Sequence, residues 1–457
     1  MRLTRRQLLA GAAASALTAG GIYELVDQLG GETPKRGAAL ALDRPDEQHL
    51  LDSVSVVLDN NVEVVVPPRH HQLVTANVRA GGDLRRAQRE LSDVLGELDR
   101  RYDQTPAGLG VTLAWGLPYF ERHVPEAWRA HAPLDRRARK AALLPAVRFP
   151  SDPHETVLED NEVAVLLRSD SRDHLADAAG KLFGDLSLFD VTSIRRGFVG
   201  GGLPKKMSMA AGVPGADLVP ESAQLFLGFT STQKDALGPR LIANHETLGF
   251  VDLGPKHYFR QGTQMHLSHL FEDLEAWYLN FDFDERVATA FRPGQPDVRE
   301  GTLTVPQPLK RADSTRTVKR EFATQGRIGH SSSLQPSTRL QHDYVAEDGT
   351  VYKKGTAIPQ RADFNTLDNP FDWSSRRGVD GMQAGPRAGL HFVVFNPSSD
   401  DFHRNRMAMD GVLPDGTRLP LTARARQQGF NSILRTTHRQ NFLVPPRRHR
   451  SFPLAEL

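Results

Sequence analysis

Gly262-Thr-Gln-Met-His-Leu-Ser-His-Leu-Phe-Glu-Asp-Leu-Glu-Ala-Trp277 changes its grammar partway along. Gly262–Phe271 reads as a strand, and Asp273–Tyr278 as the start of a helix or turn. The same grammar recurs on either side. Downstream, Gly389–Phe395 reads as a buried strand, followed by a helix over Asp400–Asp410. Upstream, Val62–Val66 is a short β-branched run and His71–Val78 alternates like a strand. Leu84–Tyr102 then spaces its apolar residues for an exposed amphipathic helix. Gly110–Trp115 and Glu162–Arg168 are further strands, and a helix over Arg172–Phe183 follows the second. Strands in hairpin-like order between helices give an α+β fold of two related halves, each an antiparallel sheet covered by helices. A loop-rich stretch from Pro293 to Ser375 interrupts the second half, and loops of that length usually serve function.

Composition narrows the chemistry. At 39% apolar and 25% charged residues, the 457-residue chain is a soluble globular protein and not a disordered one. The net charge of +2 gives no basic field for nucleic acid. The basic run Pro445-Pro-Arg-Arg-His-Arg450 reads as a solvated tail. There is no cysteine, which excludes disulfides, thiolate ligation and a lipoprotein anchor, so any haem or soft-metal ligand comes from the 17 histidines. The start, Met-Arg-Leu-Thr4-Arg5-Arg6-Gln7-Leu8-Leu9 with an Ala/Gly/Leu-rich run to about Val26, reads as a twin-arginine export signal. Ala14-Ser15-Ala16 has the form of a cleavage site, and an uncleaved signal would hold the protein at the membrane. Residues 1–45 then form signal and spacer, with folded sequence from about His49.

Five segments, in order, resemble the dye-decolourising peroxidase family. They are Gly110-Val-Thr-Leu-Ala-Trp-Gly-Leu-Pro-Tyr-Phe120; Leu227-Gly-Phe-Thr-Ser-Thr232 at the family's Gly-Phe-x-Asp-Gly motif; the opening stretch at its Leu-Glu-x-Trp strand; Gly329-His330 with Pro336 six residues on; and Gly389–Phe395 with Phe402. The resemblance implies two ferredoxin-like halves arranged like a dimeric α+β barrel, 46–220 and 221–457, with haem b in the second. It implies an enzyme that spends hydrogen peroxide on an unidentified reducing substrate, which the twin-arginine start would send out of the cytoplasm, and it is compatible with a homo-oligomer.

The resemblance also assigns residues. His330 becomes the iron ligand, because a neutral imidazole leaves iron five-coordinate. Phe229 would line the haem cavity; His269, which falls where the family carries an arginine, would line it too or else be a packing residue. The family's arginines two and seven positions after the ligand are Ser332 and Ser337 here, and Arg339 is the substitute. The family carboxylate that moves peroxide's proton is replaced by Ser231, a poor proton acceptor. Gly197-Phe-Val-Gly-Gly201 is an alternative placement of that motif and also lacks the Asp. Within Ile358-Pro-Gln-Arg-Ala-Asp-Phe-Asn365, Arg361 rather than Gln360 takes the charge-stabilising role. Asp235 and Asp363 are the nearby carboxylates that could replace the missing one. His266 and His269, three apart on a strand, face opposite ways and do not make a joint metal site. His391 reads as a hydrogen-bonded core residue. Other readings stay open: a haem-binding protein with little turnover, for haem or iron handling, and a haem-free scaffold.

Overall fold

The computed structural model describes residues 22–36, 46–79, 83–231, 256–295, 298–306, 313–345, 349–367, 385–422 and 424–457. Arg5, Arg6, Thr232 and Asp235 lie outside them.

The principal strands are β1 (His70–Val78), β2 (Gly110–Gly116), β3 (Val163–Ser169), β4 (Phe189–Phe198), β5 (Thr263–Glu272), β6 (Phe364–Thr366), β7 (Gly389–Asn396) and β8 (Leu434–Val444). They run β5-β7-β6-β4-β1-β3-β2-β8, and β8 pairs back onto β5, so eight strands of the ten-stranded sheet close into a barrel. Every pairing around the ring is antiparallel. The first half has the order β4-β1-β3-β2 and the second β6-β7-β5-β8, the ferredoxin-like order in both. This is the expected α+β fold of two such halves. Two seams join them: Asn365 opposite Phe198, and Phe442 and Leu443 opposite Gly116 and Trp115.

Six helices matter below: α1 (Ile22–Leu29), α2 (Leu84–Arg101), α3 (Arg172–Ala179), α4 (Phe283–Ala290), α5 (His330–Thr338) and α6 (Ser399–Met409). On α2, Ala87, Leu91, Leu95 and Leu98 recur at helical spacing and are buried, while Asp83 caps the first turn. Asp282 and Glu285 form a capping box on α4.

Strand alternation divides the interior of the barrel from its outside. Leu73, Leu166, Leu267, Val393, Phe395 and Phe442 fill the interior from both halves. Part of that interior is polar. His391, His269 and His438 sit on adjacent strands in register, and Glu159 pairs with the fully buried Arg195 at 2.7 Å. His391 is buried as expected, but neither of its ring nitrogens has a hydrogen-bond partner.

Two terminal readings are corrected. Folded structure is already present at α1, well before His49: Ile22, Tyr23 and Val26 are buried, and the Tyr23 hydroxyl donates to the His71 carbonyl at 2.6 Å. Arg36, in the expected spacer, pairs with Asp170 at 2.8 Å with both side chains buried. The C-terminal basic run is not a solvated tail either. Arg447 and Arg450 both reach Asp99, and the buried Trp115 and Tyr119 donate to the carbonyls of Arg450 and Pro453. Charged residues tied to one acidic partner look the same in sequence as solvated ones.

Candidate functional site

On the outer face of the second half lies a cleft whose empty volume, its open mouth included, is about 1420 Å³. Its floor is sheet: Ser268, Leu270 and Glu272 of β5 and Leu390, Phe392 and Val394 of β7 alternate with the inward residues. Its roof is helical. Phe402, Asn405, Arg406 and Met409 lie along one stripe of α6, and His330, Leu334 and Thr338 along one stripe of α5.

His330 opens α5 instead of lying in a loop. Gly329 before it packs so closely on the end of α4 that a Cβ would fall 2.4 Å from the Phe291 carbonyl oxygen. The rest of the helix is buried and polar. Ser332, Ser333 and Ser337 each donate to a backbone carbonyl three residues back, so their hydroxyls need no other partner. Burial, with Arg361 and Arg406 adding to it, lowers the His330 pKa to about 3. The ring is therefore neutral at ordinary pH, its remaining exposure directed into the cleft.

The segment Leu225–Ser231 forms another wall. Gly228 takes a positive φ of 88°, and the Trp277 indole and Tyr278 hydroxyl hold the segment by donating to the carbonyls of Leu227 and Phe226. Phe229 and Ser231 line the cleft, whereas Val199 of the alternative motif placement packs inside the barrel. Beside Ser231, Gln360 and Arg361 pair with Phe395 and Val394 of β7. Arg361 and Asp363 point to the cleft, and Ala362 and Phe364 point into the barrel. The Arg361 guanidinium donates to the Ser231 carbonyl at 3.4 Å. Burial raises the Asp363 pKa to about 6, against the opposing pull of Arg361 and a hydrogen bond from the Ser231 hydroxyl.

Four of the six sequence-assigned residues thus meet in one cleft: His330, Phe229, Ser231 and Arg361. Two do not. His269 faces the barrel interior, hydrogen-bonded to the Thr437 hydroxyl, because alternation along β5 turns it away from the stripe that carries Ser268 and Leu270. Arg339, just past α5, donates to the Gly355 carbonyl and does not line the cleft. Besides Arg361, the cations that do are Arg406 and Arg439, both buried and both paired with Asp152. Sequence reading missed them, together with Glu272. Arg406 falls on the cleft stripe of α6, four residues from Phe402, a spacing visible in the sequence.

An α+β barrel with a cleft under its second-half helices defines the structural class. A DyP-type peroxidase from Cellulomonas bogoriensis has the same fold, with a TM-score of 0.52 at 19% identity over 88% of this chain and 95% of that one. A candidate DyP-type peroxidase from Shewanella oneidensis gives 0.50 at 13% identity over 86% and 95%. The chain itself belongs to the family of unknown function DUF7405, whose sequence model matches residues 68–446. No curated protein sequence matches it.

Proposed function

We propose that this chain is a haem-dependent peroxidase that works outside the cytoplasm. The observation that carries the reading is a neutral imidazole, a guanidinium and a carboxyl converging on one apolar cleft. The donor set fits haem b. His330 offers an unprotonated nitrogen, apolar side chains of the sheet and of α5 and α6 would flank a flat macrocycle, and Arg406 and Arg439 would take its propionates. The Oδ1 of Asp363, buried with no hydrogen-bond partner, fits a site built to receive a protic ligand.

Haem, when bound, supplies the electrons for O–O cleavage and recovers them from an organic donor. The chain handles the protons and the charge. Asp363 takes the proton from one oxygen of hydrogen peroxide and gives it to the other, which leaves as water; Arg361 stabilises the negative charge that develops meanwhile. The Ser231 hydroxyl orients Asp363, so the carboxylate missing from the Gly-Phe-x-Asp-Gly position is supplied from the neighbouring segment. Haem-loaded protein should oxidise an anthraquinone dye only with peroxide present, and activity should rise as pH passes about 6, where Asp363 loses its proton. Haem bound without turnover at any pH would favour the haem-handling reading.

Export rests on Arg5 and Arg6. Cleavage after Ala16 would keep α1, which the fold uses. No described helix is long and apolar enough to cross a membrane. Replacing both arginines by lysine should retain the protein in the cytoplasm, and undiminished export would remove the twin-arginine assignment.

A further inference from the structure

The cleft holds a second carboxyl group that the proposed chemistry leaves unused. Glu272 is the last residue of β5, on the outward stripe with Ser268 and Leu270, and is only 2% exposed. Its Oε2 is buried with no hydrogen-bond partner, and so is the Oδ1 of Asp363 across the same cavity. An ionised carboxylate can only accept hydrogen bonds, so a desolvated oxygen without a donor favours the protonated form. Two carboxyls close enough to repel also cannot both hold charge cheaply.

The surroundings decide which of the two stays neutral. Asp363 has Arg361 and the Ser231 hydroxyl beside it. Burial, with repulsion from Asp363 adding to it, raises the Glu272 pKa to about 8. Among the described residues, no cation on the elements packed around it offsets that shift. β7 brings Leu390 and β8 brings Leu434, while Tyr278 of the following helix is pushed up mainly by burial, with Arg286 opposing and Glu272 adding a smaller push. From the roof, His330 is neutral and Arg406 is paired with Asp152 and Asp410.

We propose that Glu272 and Asp363 form a coupled carboxyl pair lining the one cleft, in which Glu272 holds the proton beside ionised Asp363 and is a second proton source for the cleft. The proposal rests on the peroxidase reading for its use. Reducing hydrogen peroxide to two waters consumes two electrons, from the organic donor, and two protons. Ionised Asp363 brings no proton of its own to that balance, and neutral Glu272 brings one.

Infrared titration of the full-length protein tests the pair without depending on haem, because it reads the carboxyls directly. The native protein at pH 7 should show a carboxylic C=O band that is absent from Glu272→Gln and that titrates near pH 8. Gln copies the shape of a neutral Glu, so that variant should fold. Asp363→Asn leaves Glu272 in place and should lower the midpoint, since the repelling charge is gone. A native protein whose pH 7 band survives Glu272→Gln, or a midpoint unmoved by Asp363→Asn, would overturn the pair and leave haem binding untouched.

Discussion

Asp363→Asn should slow the reaction of the haem-loaded protein with peroxide by about 10² to 10⁴, the usual contribution of a positioned acid–base group. Asparagine keeps the size of the side chain and its neighbours, so the loss isolates proton transfer. Arg361→Leu should cost on the order of 10² to 10³, as removal of a charge-stabilising donor does. Ser231→Ala should act differently. Its hydroxyl holds the Asp363 pKa down, so without it the pH midpoint of the peroxide step should move upward from about 6, with little change in the plateau rate. Stopped-flow mixing, read by haem absorption across pH, separates the three. A native rate already at the Asp363→Asn level would mean that no carboxyl moves the proton. A plateau loss in Ser231→Ala as deep as in Asp363→Asn would return the central role to Ser231.

The barrel was legible because its strands and helices carry ordinary periods. His71–Val78, Gly110–Trp115, Glu162–Arg168, Gly262–Phe271 and Gly389–Phe395 each fall on an observed strand to within a residue or two. Helix α5 was not legible. Its buried polar residues, Ser332, Ser333, Gln335 and Ser337, give no apolar stripe, and the serines satisfy themselves on their own backbone. Within the site, Arg361 and Asp363 show what alternation can and cannot give. Once Ala362 and Phe364 are known to face the barrel, both polar residues must face out, but nothing local reveals that the cleft lies there. Arg439 was hidden for another reason. It comes from β8, beyond the reach of the five family-like segments, and enters the site only because that strand closes the barrel against β5.

Whether His330 holds haem in this cleft is decided by titrating the native protein and His330→Ala with haemin, followed by visible absorption. Loss of groups that merely support a metal ligand costs about 10- to 100-fold in affinity, so loss of the ligand itself should cost roughly 10²-fold or more. The pKa of about 3 makes the native imidazole a ready ligand down to acidic pH, and the cleft left by alanine should admit free imidazole. The native protein should therefore saturate with one haem and an intense Soret band, His330→Ala should lose that band, and added imidazole should restore it. An unaltered spectrum and affinity in His330→Ala, or no saturable haem binding by the native protein, would contradict the account.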